Sequence, residues 1–396
     1  MTYFTRRALG AALGAAGTLA LTSTAVAQDY EWPRLLVIGT PGTSSSAFAA
    51  TNGWAALLQE QEGPTVRVVP EDSEPQRYRR LTDRGDIAVS SVSAATMRSQ
   101  VQGIGGYAAD KPAPMRILWH HFDAPWAFLV AGDSDIESLE DIREGGLRLA
   151  LPAFAPTAAL TMERAVPAFL DMTPEEVAEK NTYVPFSTYA QNCRSVSEGK
   201  ADIAYCAAIT AFLVELEGAP GGIRWLPLPM DDEAGWERLL EVRPMWIPAE
   251  ISFGVKTARG VDGATSNFVY AVPADADEDF VYNMAKWMHE SYDSYKGTHP
   301  LSTRMSLELF RGYLDRTPMP VHPGTIRYLT EIGAWTEEDD AWNEAGVELM
   351  DAWIAARRAA LDEAREQGLR PDMENEAYLE ILRKHTEGLE GFRSRL

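Results

Sequence analysis

The sequence predicts an α/β protein with two lobes, and two observations carry this prediction. Short apolar runs rich in β-branched residues recur between segments with helical spacing, which is typical of helices layered on mostly parallel sheets. The chain also contains a weak internal echo, because residues 79–91 read "RRLTDRGDIAVSS" and residues 194–207 read "RSVSEGKADIAYCA". Each is a helix end, a glycine turn and then Asp-Ile-Ala at the start of a strand. We therefore expect two lobes with the same local order.

The first 27 residues have the pattern of an export signal. Arg6 and Arg7 precede a mildly apolar stretch, and Ala25-Val26-Ala27 fits a signal-peptidase site before Gln28. The order "TRRAL" resembles a twin-arginine signal, and a general secretory signal is the alternative. No later segment has the roughly 18 uninterrupted apolar residues of a membrane span. We expect a soluble periplasmic protein.

Composition excludes several classes of partner. The net charge of -22 repels nucleic acid and anionic lipid headgroups. Because 45% of the residues are hydrophobic, the chain can bury a sizeable core, which argues against disorder. At 396 residues the chain exceeds one average domain, in keeping with two lobes.

The strands are predicted from ten apolar runs separated by helical segments. In chain order they read "LLVIGT", "VRVVP", "DIAVSS", "RILWHH", "AFLVAG", "LRLALP", "TYVPF", "DIAYCA", "IRWLPLP" and "FVYAVP". The helical segments between them include "AATNGWAALLQE" and "AALTMERAVPAFL". Residues 173–176, "TPEE", predict a helix start with a capping box and proline at the first helical position.

From Thr336 the chain is almost wholly helical, and we expect this extension to dock on the body. The apolar face predicted to make the contact consists of Trp342, Leu349, Trp353, Ala356 and Ala360.

The two cysteines, Cys193 and Cys206, are either two small buried apolar residues or one disulfide of an oxidising compartment. The spacing does not decide between them.

The stretch 37–48, "VIGTPGTSSSAF", is the strongest candidate for a binding turn. It is a strand that stops at Pro41-Gly42, a run of hydroxyl side chains, and then a helix. The first turn of a helix has unpaired N–H groups and partial positive charge, which favour an anion. We predict that one end of a small anion is bound here, and the alternative is that one hydroxyl merely caps the helix. The candidate residues are Thr40, Gly42, Thr43, Ser44, Ser45, Ser46 and Phe48.

Four motifs resemble a known family. "IGTPGTSSSAF", "GDIAVSS", "DSDIESLEDIREGGLRLALP" and "HPGTIRYLTEIGAW" are similar to the TAXI branch of the solute receptors of TRAP (tripartite ATP-independent periplasmic) transporters. The resemblance spans about residues 35–335. It implies a type II periplasmic binding protein fold with two lobes and crossover hinge strands, to which the C-terminal helical extension is added. It also implies closure over a small organic anion and delivery to the membrane permease of a TRAP transporter. We expect a monomer.

The resemblance, together with the export signal and the helical pattern after Thr336, predicts the following division of the chain. Residues 1–27 are the signal peptide, 28–131 and 252–335 form a discontinuous first lobe, 132–251 form the second lobe, and 336–396 form the extension. We expect hinges near 130–134 and 247–252, where dihedral changes would close the lobes.

The departures from the family pattern supply further candidate ligand-binding residues. In the second-lobe turn, Phe154-Ala155-Pro156-Thr157 keeps only the family threonine, so Phe154 indicates an apolar or aromatic part of the ligand. Lys256 stands where the family has tyrosine, and it either pairs with a second carboxylate or is an exposed lysine. The remaining candidates lie on or beside predicted strands, namely Ser90, Ser91, Trp126 and Tyr205. The ligand is expected to be a carboxylate, such as a dicarboxylate or an amino acid.

We expect a binding protein without catalytic residues, cofactor or metal. The sequence has no G-x-S-x-G, no H-E-x-x-H and no Cys/His grouping. The neighbours His120 and His121 point to opposite faces of a strand, which predicts one buried and one exposed histidine. The alternatives are an exported sensor for a membrane kinase or chemoreceptor, and an enzyme on the same fold.

Overall fold

A computed structural model describes residues 30–314, 317 and 319–392. The export signal proposed for residues 1–27 lies outside this range. The ten strands of the described chain are β1 (Leu35–Thr40), β2 (Thr65–Pro70), β3 (Val89–Ser93), β4 (Met115–Ala131), β5 (Arg148–Pro152), β6 (Thr182–Phe186), β7 (Ala204–Ala207), β8 (Ile223–Leu226), β9 (Ile247–Glu250) and β10 (Asp262–Pro273).

Each predicted apolar run overlaps a strand, but two of the runs belong to one and the same strand. The runs "RILWHH" and "AFLVAG" are the two ends of the single strand β4, which has 17 residues. Strand β9 was not predicted, because Ile247–Glu250 contains a proline and a glutamate and lacks an apolar run.

The helices lie between and after the strands. They are α1 (Ser46–Glu62), α2 (Glu74–Arg79), α3 (Ala94–Gln102), α4 (Pro156–Leu160), α5 (Val166–Phe169), α6 (Pro174–Lys180), α7 (Tyr189–Arg194), α8 (Leu213–Glu217), α9 (Glu233–Val242), α10 (Glu278–Glu290), α11 (Tyr292–Tyr295), α12 (Leu307–Leu314), α13 (Pro323–Glu331), α14 (Glu337–Glu366) and α15 (Glu376–Thr386). The capping box predicted at Thr173 is present at the start of α6. No helix among the described residues is both long enough and apolar enough to cross a membrane.

The strands form one large sheet and one small sheet. The large sheet has the order β2-β1-β3-β10-β4-β7, with β8 on β4 and β9 on β10. Strand β1 is parallel to β2 and β3, whereas β10 is antiparallel to β3 and β4. Strands β5 and β6 form a separate parallel pair, joined to the chain before β7 by a bridge between Leu149 and Ile203.

Strands β4 and β10 run through both halves of the molecule. The first part of β4 pairs with the end of β10, and its last part, from Trp126, pairs with β7 and β8. The first residues of β10 pair with β9. These two strands are the crossovers, and the predicted type II periplasmic binding protein fold is confirmed. The predicted lobe boundaries and hinge positions stay predictions.

The second half is built around the end of β4, whose side chains alternate between two cores. Phe128 and Val130 pack in one cluster with the helices after β5, while Ala127 and Leu129 pack in another with α7 and α8. Successive side chains of a strand point to opposite faces, so a strand that is covered on both faces buries apolar residues at every position. The second cluster contains Cys193 and Cys206, which form a disulfide with Cα atoms 5.9 Å apart.

The prediction of one buried and one exposed histidine is wrong, because both His120 and His121 are fully buried. They do lie on opposite faces: His121 Nδ1 is 2.9 Å from the hydroxyl of Ser91, while His120 stacks on the ring of Tyr313. Helices cover both faces of β4 here, so neither face reaches water. Burial lowers the pKa of His120 to about 4 and that of His121 well below its ordinary value.

The C-terminal extension packs on the body through a face rotated from the predicted one. The buried residues of α14 are Asn343, Met350, Ile354, Arg357, Ala360 and Ala364, so only Ala360 of the predicted face is among them. The difference arises because two of the docking positions are polar. The side-chain oxygen of Asn343 accepts a hydrogen bond from the N–H of Val321 at 2.7 Å.

Arg357 is the polar centre of this contact and is 0% exposed. Its guanidinium donates to five backbone carbonyls, those of Gln100, Val101, Tyr107, Ala108 and Asp110. The first two belong to the last turn of α3, where carbonyls lack helical partners and favour a cation. Gly103, at φ +71°, ends α3, and a Cβ there would lie 2.3 Å from Cζ of Arg357.

We predict that Arg357→Met lowers the free energy of unfolding by at least about 3 kcal/mol. The change removes the guanidinium from five buried carbonyls, and a hydrogen bond to a charged group contributes about 1.5–3 kcal/mol. Two of these carbonyls keep another donor, because Tyr107 also accepts from the N–H of Asp110 and Ala108 from the hydroxyl of Tyr378. The control is Arg365→Met on the same helix, where the side chain is 78% exposed and the effect should stay within about 0.5 kcal/mol. Urea unfolding measures both. Equal stabilities of the two variants would show that Arg357 does not anchor the extension.

Candidate functional site

A cleft lies between the two halves, beside the point where β4 and β10 cross from one to the other. Its volume is about 110 Å³. Residues from both halves line it: Pro41, Ser45, Ser46, Ala47, Asp72, Glu74, Arg77, Ser93, Thr96, Phe122, Ala124, Trp126, Pro152, Phe154, Ala155, Thr157, Ala158, Tyr189, Tyr205, Ala207, Ile209, Thr210, Arg243, Ser266 and Phe268. We call this the cleft.

Three parallel strands of the first half end at the cleft. The segments 41–47 after β1, 72–77 after β2 and 93–96 at the end of β3 all contribute lining residues. Each of these segments also begins a helix, namely α1, α2 or α3. Carboxyl ends of parallel strands and the adjoining helix starts are where ligands bind in open α/β sheets. The fold therefore places the cleft where the sequence pattern predicts a site.

The hydroxyl turn is both a helix cap and part of the cleft wall. The side-chain oxygen of Ser45 caps α1 by accepting a hydrogen bond from the N–H of Phe48 at 3.2 Å. The hydroxyl of Ser46 donates to the carbonyl of Ile209 in the second half at 2.9 Å. Among the described residues, the N–H groups of Ser46 and Ala47 have no acceptor. Two donors at the positive end of a helix of 17 residues thus belong to residues that line the cleft.

The rest of the hydroxyl turn does not line the cleft. Thr40 is buried and its hydroxyl donates to the carbonyl of Pro41 at 3.0 Å. Thr43 is exposed, and Ser44 and Phe48 are half-buried on other faces of the turn. A one-residue step along a tight turn changes the direction of the side chain, so a run of hydroxyls cannot all face one ligand.

Gly42, a predicted ligand-binding residue, is held by a carboxylate of the chain itself. Asp72 accepts a hydrogen bond from the N–H of Gly42, and burial raises the pKa of Asp72 despite this bond. A Cβ at position 42 would lie 2.2 Å from Oδ1 of Asp72, so only glycine permits this approach. The backbone donor of Gly42 is therefore already occupied by an anion.

Ser90 and Ser91 lie in the sheet rather than in the cleft. Both are buried in β3, and Ser91 is bonded to His121 as described above. The residue of this strand that reaches the cleft is Ser93, which caps α3 by accepting from the N–H of Thr96 at 3.1 Å. The sequence pattern selected residues of the strand that reaches the cleft, but it stopped short of the carboxyl end of that strand.

The second half contributes a buried arginine that the sequence analysis missed. Arg243 follows α9 and is 5% exposed, and its guanidinium donates to the carbonyl of Thr157 and to the hydroxyl of Thr161. The ring of Trp246 lies 4.8 Å from Cζ of Arg243. Burial lowers the pKa of Arg243, partly offset by Tyr205 and Glu74. An arginine stays charged under these conditions, so this wall carries a fixed cation.

Thr157 stands beside this arginine with an unused hydroxyl. Its side-chain oxygen is buried and has no hydrogen-bond partner among the described residues. A buried hydroxyl without a partner is costly, and native proteins rarely keep one unless a ligand or water completes it. The position of Thr157 agrees with the prediction that it faces the ligand, which stays a prediction.

Aromatic rings form the walls between these polar groups. Trp126 stacks on Tyr205 with ring centroids 4.6 Å apart, and Phe122 stacks on Phe268 at 4.9 Å. Phe154 approaches Tyr189 edge to face at 6.3 Å. The predicted residues Trp126, Phe154 and Tyr205 therefore lie together, where they offer flat apolar surface to a bound molecule.

Lys256 does not take part in the cleft. It is exposed in a short turn, Lys256–Ala258, after β9. The cations of the cleft are instead Arg77 and Arg243, both nearly buried.

Glu74 is a second residue that the sequence analysis missed. Its carboxylate accepts hydrogen bonds from the hydroxyls of Thr96 at 3.1 Å and Tyr107 at 3.4 Å, and from the N–H of Thr157. Burial raises the pKa of Glu74, partly offset by the charge of Arg77. The backbone N–H of Glu74 donates to the carbonyl of Phe154 at 3.2 Å, so this residue connects the two sides of the cleft.

A sequence signal existed for some of the missed residues but not for all. Asp72 and Glu74 follow the parallel strand β2 and begin a helix, so the rule applied to β1 would have found them. Arg243 precedes a proline at the end of a helix far along the chain, and no local pattern marks it. Among the described residues no group of three His, Cys, Asp or Glu side chains could hold a metal ion.

Several solved structures resemble the chain at low identity. The malate-bound MatC (Rpa3494) from Rhodopseudomonas palustris is 13% identical with a TM-score of 0.47, covering 80% of this chain and 100% of its own. The ATP-bound XAC2383 from Xanthomonas citri is 14% identical with a TM-score of 0.40, covering 81% and 98%. An ancestral arginine-binding protein bound to glutamine is 14% identical with a TM-score of 0.40, covering 69% and 97%. Similarity at this level does not identify a ligand.

Sequence comparison identifies the family of the chain. No curated protein matches the chain significantly. A family match, however, covers residues 38–333, which include every strand after the first residues of β1 and all the segments that line the cleft. The chain belongs to the NMT1-like family.

Proposed function

We propose that the protein is a periplasmic solute receptor that binds a small organic carboxylate in the cleft and delivers it to a TRAP-type permease. The observation that carries the proposal is the set of unused donors at the cleft. The N–H groups of Ser46 and Ala47 and the hydroxyl of Thr157 have no acceptor among the described residues. They come from opposite sides of a cleft whose walls are aromatic.

The cleft suits a small molecule with one charged end and an apolar body. An enclosed apolar cavity of about 150 Å³ accommodates benzene, so a cleft of about 110 Å³ encloses roughly four or five heavy atoms. A molecule of about six to eight heavy atoms would therefore extend into the open side of the cleft. Carboxylates favour helix N-termini and arginines, and both are present. The apolar body would lie against Trp126 and Phe268.

Export and the permease partner rest on other observations. The Arg6-Arg7 leader and the cleavage pattern before Gln28 support secretion, and the Cys193–Cys206 disulfide is typical of an oxidising compartment. The permease partner rests on the TAXI-like motifs and on the two-lobe architecture. A binding role is favoured over catalysis because Asp72 and Glu74, the cleft carboxylates, are engaged by donors of the chain itself.

Native mass spectrometry of the protein purified from the periplasm without refolding tests the function. We expect a mature chain that begins at Gln28 and carries one small organic acid, which acid denaturation releases. A chain that retains Arg6, or a mature chain that neither carries nor binds any organic acid in calorimetry, would contradict the proposal. An acid bound to a protein whose gene neighbours encode a kinase or chemoreceptor instead of a permease would support the sensor alternative.

Substitutions at Ser45 separate the capping role from the binding role. Asp and Asn both cap helices, so Ser45→Asp and Ser45→Asn should fold with similar stability. The aspartate adds a fixed negative charge beside the ligand carboxylate, and this repulsion is about 4 kcal/mol at about 4 Å and an effective dielectric of about 20. Calorimetry with the co-purified acid should show lost binding only for Asp. Equal affinities would mean that the turn is a cap and not a binding site.

Thr157→Val should weaken ligand binding without lowering the stability of the fold. The hydroxyl has no partner in the chain, so replacing it with a methyl group should not lower the free energy of unfolding. Binding of the co-purified acid should weaken by about 0.5–1.5 kcal/mol, the value of one hydrogen bond. The control is Thr161→Val, whose hydroxyl is bonded to Arg243 and which should lose stability. Unchanged affinity of Thr157→Val would remove this hydroxyl from the ligand site.

A further inference from the structure

One carboxylate of the chain already occupies a position that suits a ligand anion. Glu74 is the first residue of α2, after the capping residue Ser73. Its side chain reaches across the cleft rather than into solvent. It accepts from Thr96 and Tyr107 on the first side and from the N–H of Thr157 on the second side.

The groups around Glu74 are those that would otherwise bind a second carboxylate. Two hydroxyls and one backbone N–H donate to it, and Arg77 and Arg243 stabilise its charge electrostatically. Both arginines are nearly buried, at 4% and 5% exposed. Hydrogen bonds of this kind, to a charged acceptor and away from water, are stronger than those between neutral groups.

The formal charges that line the cleft cancel. Arg77 and Arg243 are balanced by Asp72 and Glu74, which leaves the positive end of α1 as the remaining attraction for an anion. A ligand with a single carboxylate can use Ser46 and Ala47 at that end. Glu74 lines the same cleft of about 110 Å³, so a second carboxylate on the ligand would lie near Glu74, where like charges repel.

We propose that Glu74 is a specificity-determining residue that restricts the cleft to carboxylates with a single negative charge and excludes dicarboxylates. The inference rests on the proposed function, since it assigns a substrate class to the same cleft. It also narrows the class of solute, because a dicarboxylate would need Glu74 to be displaced from its donors.

The test uses two acids of the same size and shape, 4-methylpentanoate and succinate. The isopropyl group of the first replaces one carboxylate of the second, so the pair differs in charge and not in length. Calorimetry should give the wild type at least about tenfold tighter binding of 4-methylpentanoate, a difference of about 1.4 kcal/mol. Glu74→Gln keeps the size of the side chain and removes its charge. It should shift the ratio of the two affinities at least about tenfold toward succinate.

Two further variants test whether the change in the ratio of affinities is due to the charge of Glu74. Glu74→Asp retains the charge and should keep the preference for 4-methylpentanoate, and it serves if the glutamine variant fails to fold. Glu71→Gln is the matched control in the same loop. Glu71 does not line the cleft, and its Oε1 accepts from the N–H of Ser73, which glutamine can also do. Its ratio of affinities should equal that of the wild type.

The possible failures are distinguishable. If the wild type binds both acids equally, or if folded Glu74→Gln keeps the wild-type ratio, Glu74 does not determine specificity. If Glu74→Gln loses both acids without gaining succinate, the carboxylate contacts the ligand directly and the inference is overturned. If an acid co-purifies but neither probe binds, the inference is also overturned while the proposed function stands. If no acid co-purifies or binds, the proposed function itself fails.

Discussion

The antiparallel pairing of β4 with β10 is the constraint on which the rest of the structure depends. These are the two strands that pass through both halves, and their register joins Met115 to Pro273 at one end and Trp126 to Ala264 at the other. The register shifts between Phe268 and Val269 and between Tyr270 and Ala271. The pairing nevertheless spans the boundary between the halves, so side chains of both strands, such as Trp126 and Phe268, line the cleft. Every other lining segment belongs to one half or the other. The β4–β10 pair, which joins the halves, therefore determines how far each segment lies from Trp126 and Phe268.

The sequence predicted the fold and the part of the cleft lining that follows from sheet topology. Apolar runs located the strands, and the rule on carboxyl ends located the turn after β1. The errors have a common physical cause, which is that a residue's direction depends on contacts distant in sequence. Neither the bond from Asp72 to Gly42 nor the position of Arg243 over Trp246 follows from local pattern. Lys256 had the right charge for an anion site, yet the chain after β9 leaves it in solvent.

Contacts distant in sequence also explain why the wrong face of the C-terminal helix α14 was predicted to dock. Hydrophobic periodicity selected Trp342, Leu349 and Trp353, which are only half-buried, while the helix docks through Asn343 and Arg357. Polar residues are suitable there because the surface beneath consists of backbone groups, the last carbonyls of α3 and the N–H of Val321. A helix that covers backbone needs donors and acceptors, and hydropathy does not report them.

Helix α3 connects this extension to the cleft. Its last carbonyls are bound by Arg357, and Thr96 in its first turn donates to Glu74. Arg98, between them, donates to the carbonyl of Val242 beside Arg243, at 3.3 Å. One helix of nine residues therefore contacts the extension, the second half and the carboxylate inside the cleft. Since Thr96 can donate to Glu74 only while α3 keeps its position, the extension stabilises the same arrangement that brings Glu74 across to Thr157.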